Sequence, residues 1–200
     1  MEARTIHCLK TLNIQHQYGT TRLTLWSIII FVSVFMTSYI FFNLFHDAQF
    51  TDKYFILFLI MLFFLYPIHK ILHFIPLYDL RKHIAFRVKI RYRFIPVFHL
   101  KLKDPISKNR YIIALLMPFL VISAIFIVLI IYFPHYTHYG TLLLASHTSI
   151  CLLDLLYVKN LIDAPKGAKI EETPKGYEIL IPRSFVLRKP YKASYQSYLL

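Results

Sequence analysis

Residues 111–133 read YIIALLMPFLVISAIFIVLIIYF and carry no charged side chain. As an α-helix rising 1.5 Å per residue, the run is about 35 Å long, enough to cross a hydrocarbon core of about 30 Å. Pro134 closes it. Three further runs flank it. The first covers about 23–45, with Trp26 near its start as an interface anchor. The second covers 54–75 and contains Pro67, which removes one helical hydrogen bond and predicts a kink. The fourth covers 141–162 and is less apolar, holding Ser146, His147, Thr148, Ser149 and Asp154. A helix of that kind is expected inside a bundle rather than against lipid. The expected fold is an all-α membrane protein with four transmembrane helices.

Composition agrees. Apolar residues make up 57 % of the chain and charged residues 16 %, where soluble domains carry about 25 % charge. The net charge of +13 would suit nucleic acid, but the long apolar runs argue against it and make membrane lipid the expected partner. Cys8 stands in the polar start and Cys151 in an apolar run, so neither a disulfide nor a two-cysteine metal site is expected. The first 22 residues are polar, and the run after them is too long for a cleaved leader, so it is read as a retained signal anchor.

Lysine and arginine set the expected orientation. The segment 1–22 has three, and the loop before the second span has Lys53 alone. Loop 76–110 has ten, 134–140 none, and the tail 163–200 seven. Basic and neutral segments alternate as the positive-inside rule requires of a multi-pass protein in the cell membrane with both termini cytoplasmic. Within loop 76–110, Phe86, Val88, Ile90, Tyr92 and Phe94 alternate with Arg87, Lys89, Arg91 and Arg93. That period of two predicts a small cytoplasmic β-hairpin with one apolar face, turning at Ile95-Pro96. In the tail, residues 176–181 predict a short C-terminal strand.

Ionisable residues within the spans are costly and direct attention to function. The four main ones are His69, Lys70, His73 and Asp154. His69 and His73 are four apart, which places both imidazoles on one helix face, the spacing by which two histidines hold one metal ion. Counted from Tyr54 and Thr141, His69 lies roughly 22 Å deep and Asp154 roughly 20 Å. Two histidines and a carboxylate at one level suit zinc. Other readings of the same residues are interfacial histidines bonded to backbone carbonyls, or Asp154 paired with Lys70 or a histidine. His147 is read as lining a cavity or bonding across helices, and His135 and His138 as solvated.

The segments PIHKILH (67–73), RYIIALLMPFL (110–120) and SICLLDLLY (149–157) resemble a family of small bacterial membrane proteins described as putative zincin peptidases, similar to site-2 proteases. The resemblance runs from about His69 to Ile181. It implies that His69 and His73 are the histidines of a His-Glu-x-x-His motif, that Asp154 completes a zinc site, and that Met117-Pro118 falls in a Leu-x-Pro stretch. The sequence departs from the pattern at Lys70, where the family has its glutamate, and at Leu153, where a glycine usually precedes the aspartate and where bulk is expected to crowd the site. The glutamate is the general base, so the expectation is a non-catalytic member that binds another membrane protein or peptide. The alternative is an active intramembrane zinc protease using another base; a small transporter is more distant.

Overall fold

Long uncharged apolar runs favour helix, because a helix satisfies its backbone polar groups within its own segment. The computed structural model describes residues 6–45, 49–91, 95–102, 104–173 and 176–182. In chain order it has β1 (Ile6–Leu12), α1 (Ile14–Tyr18), α2 (Thr20–Phe45) and α3 (Phe55–Leu72), then 3-10 turns at Ile75–His83. There follow β2 (Ile84–Arg91), β3 (Ile95–Leu102), β4 (Ile106–Ser107), α4 (Lys108–Tyr132), α5 (Thr137–Ile150), α6 (Leu152–Ile162), β5 (Lys169–Thr173) and β6 (Gly176–Pro182). The chain is mostly helical with a small antiparallel sheet. α2, α3 and α4 are long and apolar enough to cross a bilayer, and α5 with α6 makes a fourth such length if the bent pair is counted as one.

Two helical expectations change. α3 runs through Pro67 but ends at Leu72, short of residue 75. The fourth span is bent by 44° at Cys151 and begins before residue 141. The turn before the bend is rich in hydroxyls that bond back to their own helix, Ser146 Oγ to Leu142 O at 2.7 Å and Thr148 Oγ1 to Leu144 O at 2.8 Å. Such back-bonding loosens and bends helices.

The β-structure is larger than expected. The hairpin forms, with β2 and β3 antiparallel, but Ile95 and Pro96 lie within β3 opposite Arg91 and Ile90, so they are not its turn. Which way the hairpin's side chains face lies outside the described residues. The expected tail strand is β6, an inner strand of a four-stranded sheet ordered β1-β6-β5-β4. The sheet draws one strand from the N-terminal segment, one from the loop before α4 and two from the tail, so these segments meet at one end of the bundle. Leu12, Ile106, Ile170, Ile179 and Ile181 on the sheet are buried with Tyr111, Ala114 and Leu115 of α4 and Val158 and Leu161 of α6. Lys108 Nζ donates to Ala164 O at 2.6 Å and Ile162 O at 3.2 Å, a cation at the end of α6 where a helix favours one. Arg110 Nη2 pairs with Asp79 Oδ2 at 2.6 Å.

At the opposite end the two short connections bond to each other. Thr51 N–H donates to His135 O at 3.3 Å, and Tyr139 Oη–H to Asp52 Oδ1 at 2.9 Å. His135 is exposed, as expected of a solvated residue, though its Nδ1 also bonds Gln49 O at 2.9 Å; His138 is only half-buried, 3.4 Å from Asp52 Oδ1. Between the ends, Phe42, Leu65, Ile122, Phe126, Ile130, Leu143 and Leu144 form the bundle core. Gly140 permits close approach of α5 to α4, since a Cβ there would collide with Ile130. α2 buries only Leu23 and Phe42, and α3 only Leu65 and His69.

Gly176 opens β6 at φ +136, and a Cβ there would meet the Leu12 carbonyl oxygen at the end of β1. Gly176→Ala is therefore expected to lower stability by more than about 1 kcal/mol, since alanine at positive φ is strained even without the collision. Thermal unfolding of the detergent-solubilised protein measures it; an unchanged transition would show that the β1–β6 junction does not contribute.

Candidate metal centre

α3 ends within one turn of His69, so His69 and His73 project from the same face of its last turn, His73 as the capping residue. α6 starts just after the bend, and Asp154 stands in its first turn. The two helices bring the three residues together. His69 Nε2 lies 3.0 Å from Asp154 Oδ2, His73 Nε2 lies 3.6 Å from the same oxygen, and the two Nε2 atoms are 3.2 Å apart. The three are 1 %, 7 % and 7 % exposed. In a tetrahedral zinc site with metal–nitrogen and metal–oxygen distances near 2.0–2.1 Å, two ligand atoms stand about 3.3–3.4 Å apart. The observed separations bracket that value, and all three atoms fall in one cluster able to hold a single ion.

Hydrogen placement strengthens the fit. His73 Nδ1 is 2.7 Å from Ala114 O. A carbonyl only accepts, so Nδ1 carries the hydrogen, and in the neutral ring Nε2 is left with a lone pair aimed at the cluster. Asp154 Oδ2 is buried and has no hydrogen bond of acceptable geometry, despite its 3.0 Å approach to His69 Nε2. A buried, unsatisfied carboxylate oxygen facing an imidazole lone pair is costly without a cation and suited to one.

The Ala114 carbonyl is available because of Pro118. In a helix, the N–H of residue 118 would bond the carbonyl of residue 114, and proline has none. Pro118 is fully buried in α4, and the acceptor it leaves open is the one His73 uses. An oriented second nitrogen of this kind fixes a ligand's tautomer and ring plane.

Lys70 takes no part in the cluster. Its Nζ lies 5.8 Å from the centre of the Tyr66 ring, a cation–π contact along the helix. Asp154 has its ionic contacts with the histidines. The expected crowding by Leu153 does not occur, because that side chain is 37 % exposed and turned away. Glu171 and Glu172 stand on β5 and Glu178 on β6. Asp154 is the one carboxylate in the clusters able to hold a metal among the described residues.

A second group abuts the first and was not legible as one. His147 and Cys151 are both fully buried. His147 bonds across helices, as one of its readings had it. Its Nε2 lies 3.4 Å from His69 Nδ1 and 3.4 Å from Cys151 Sγ, and its Nδ1 lies 3.4 Å from Ser123 Oγ. The available signal was the i, i+4 spacing of His147 and Cys151, one turn before Asp154.

Pro118→Ala restores an N–H that competes for the Ala114 carbonyl. The expected outcomes are loss of the His73 Nδ1–H tautomer in side-chain ¹⁵N spectra and a fall of about 10–100-fold in zinc affinity, the usual cost of removing an outer-shell partner. Unchanged spectra would mean that the carbonyl does not orient the ring.

A family profile described as "Putative zincin peptidase" matches residues 62–169, from the middle of α3 to the start of β5. No curated protein and no solved structure matches the chain. The matched region is more than half of the chain and contains both histidines, Pro118 and Asp154. The chain belongs to the putative zincin peptidase family.

Proposed function

We propose that this chain is a multi-pass membrane protein that retains the family's zinc ligands, His69, His73 and Asp154, but does not hydrolyse peptide bonds, and that it acts by binding another membrane protein or peptide. The observation that carries the reading is the intact ligand cluster beside a lysine at the motif's second position. Zinc, when bound, polarises a carbonyl and acidifies a coordinated water. A neighbouring base must still accept the proton, a role worth about 10²–10⁴-fold in rate. Lys70 as a cation has no acceptor, and its position over Tyr66 points it along the helix rather than into the cluster. Asp154 is taken up by ligation.

Membrane insertion is supported by the exposed faces of α2 and α3, where Ile28, Ile29, Val32, Ile56, Phe63 and Phe64 would otherwise meet water. The orientation follows the charges. The sheet gathers the basic N-terminal segment, loop and tail at one end, and that end is assigned to the cytoplasm.

Labelling of single cysteines from outside intact cells is expected at Asp47→Cys and Tyr136→Cys and not at Lys101→Cys; modification of the last would reverse the orientation. Zinc analysis of purified protein should find an equivalent that His73→Ala or Asp154→Ala removes. The parent should cleave no membrane substrate, whereas Lys70→Glu rebuilds His-Glu-x-x-His on the same turn and is expected to gain chelator-sensitive cleavage. Cleavage by the parent that His73→Ala abolishes would refute the non-catalytic reading.

A further inference from the structure

We propose that His69 Nδ1, His147 Nε2 and Cys151 Sγ form a second cation site, back to back with the first, that takes a soft, thiophilic transition-metal ion. The three atoms come from α3, from the last turn of α5 and from the bend between α5 and α6. His69 Nδ1 and His147 Nε2 are 3.4 Å apart, and Cys151 Sγ lies 3.4 Å from His147 Nε2 and 3.8 Å from His69 Nδ1. A ring N–H donor normally approaches its acceptor to about 2.7–3.2 Å, so the nitrogen pair is loosely spaced for a hydrogen bond. It matches the edge of a metal polyhedron: with metal–nitrogen near 2.0–2.1 Å and metal–sulfur near 2.3 Å, tetrahedral edges are about 3.3–3.4 Å and about 3.6 Å. The three residues are 1 %, 0 % and 0 % exposed, so the site is closed to bulk solvent.

Charge and ligand chemistry select the ion. A thiolate with two imidazoles favours soft or borderline cations over magnesium or calcium. Held between the Cys151 thiolate and the Asp154 carboxylate, which reaches the same His69 ring from its other side, a divalent ion makes the ligand cluster neutral. Neutrality is the condition for keeping charge inside an apolar bundle at tolerable cost. His69 is shared, so with one ion bound its free nitrogen keeps a hydrogen and faces the other cluster.

The site shares His69 with the first one and takes part of its balancing charge from Asp154, but His147 and Cys151 belong to it alone and test it separately. The test is cobalt(II) titration of the full chain in detergent, in a Cys8→Ser background that removes the exposed thiol. The expected result is a near-ultraviolet thiolate-to-cobalt charge-transfer band, lost in Cys151→Ser, weakened at least tenfold in His147→Gln, and kept in His73→Ala, which removes a residue of the first cluster alone. Absence of the band in the Cys8→Ser protein itself, whatever its cobalt content, overturns the proposal and leaves the trio as a polar relay from Ser123 to His69. A band that survives Cys151→Ser overturns it as well. Failure of the first site reads differently, as zinc content that His73→Ala and Asp154→Ala leave unchanged.

Discussion

A carboxylate sunk between apolar helices needs a cation or polar partners within reach, and among the described residues Asp154 has its ionic contacts with His69 and His73 at the end of α3. That requirement fixes where α3 and α6 approach. It also explains the bend at Cys151, since α6 must depart from the line of α5 while Asp154 stays in its first turn. The hydroxyls before the bend relieve α5 locally, and Ser149 Oγ donates to Ser27 O of α2 at 2.9 Å, so the loosened turn is held from a third side.

The second determinant is an omission. α4 lacks one backbone donor at Pro118, and the freed carbonyl of Ala114 sets the plane of the His73 ring. The geometry of the His69–His73–Asp154 cluster thus depends on a helix that contributes no residue to it. Ala114 is buried in the same cluster as the inner sheet strands, so the sheet supports the centre through α4.

The spans were legible because runs such as 111–133 leave no choice but helix, and the hairpin because its alternation is strict. His69, His73 and Asp154 could be matched by depth, and the structure brings them together. The edge strand β1 was not legible: IHCLKTL has no clean period of two, and its register with β6 shifts between Cys8 and Lys10. The bend was hidden because no proline or glycine marks it. His147 and Cys151 were hidden because a buried histidine and a buried cysteine on an apolar helix are each ordinary; only their approach to His69 from another helix makes them a group. Lys70 was legible as a departure from the motif, whereas its rest over Tyr66 depends on side-chain placement that spacing alone does not give.

The pairing of β1 with β6 joins residues near 6 to residues near 182. At translation rates of about 5–20 residues per second, the first strand waits on the order of ten to thirty seconds for its partner to be made. During that interval every helix has been synthesised, but β5 has one edge open and β1 has no neighbour. The sheet is therefore the last of the described elements to close, and a chain stopped before Gly176 would keep the described helices and leave two more strand edges unpaired than the full sheet does.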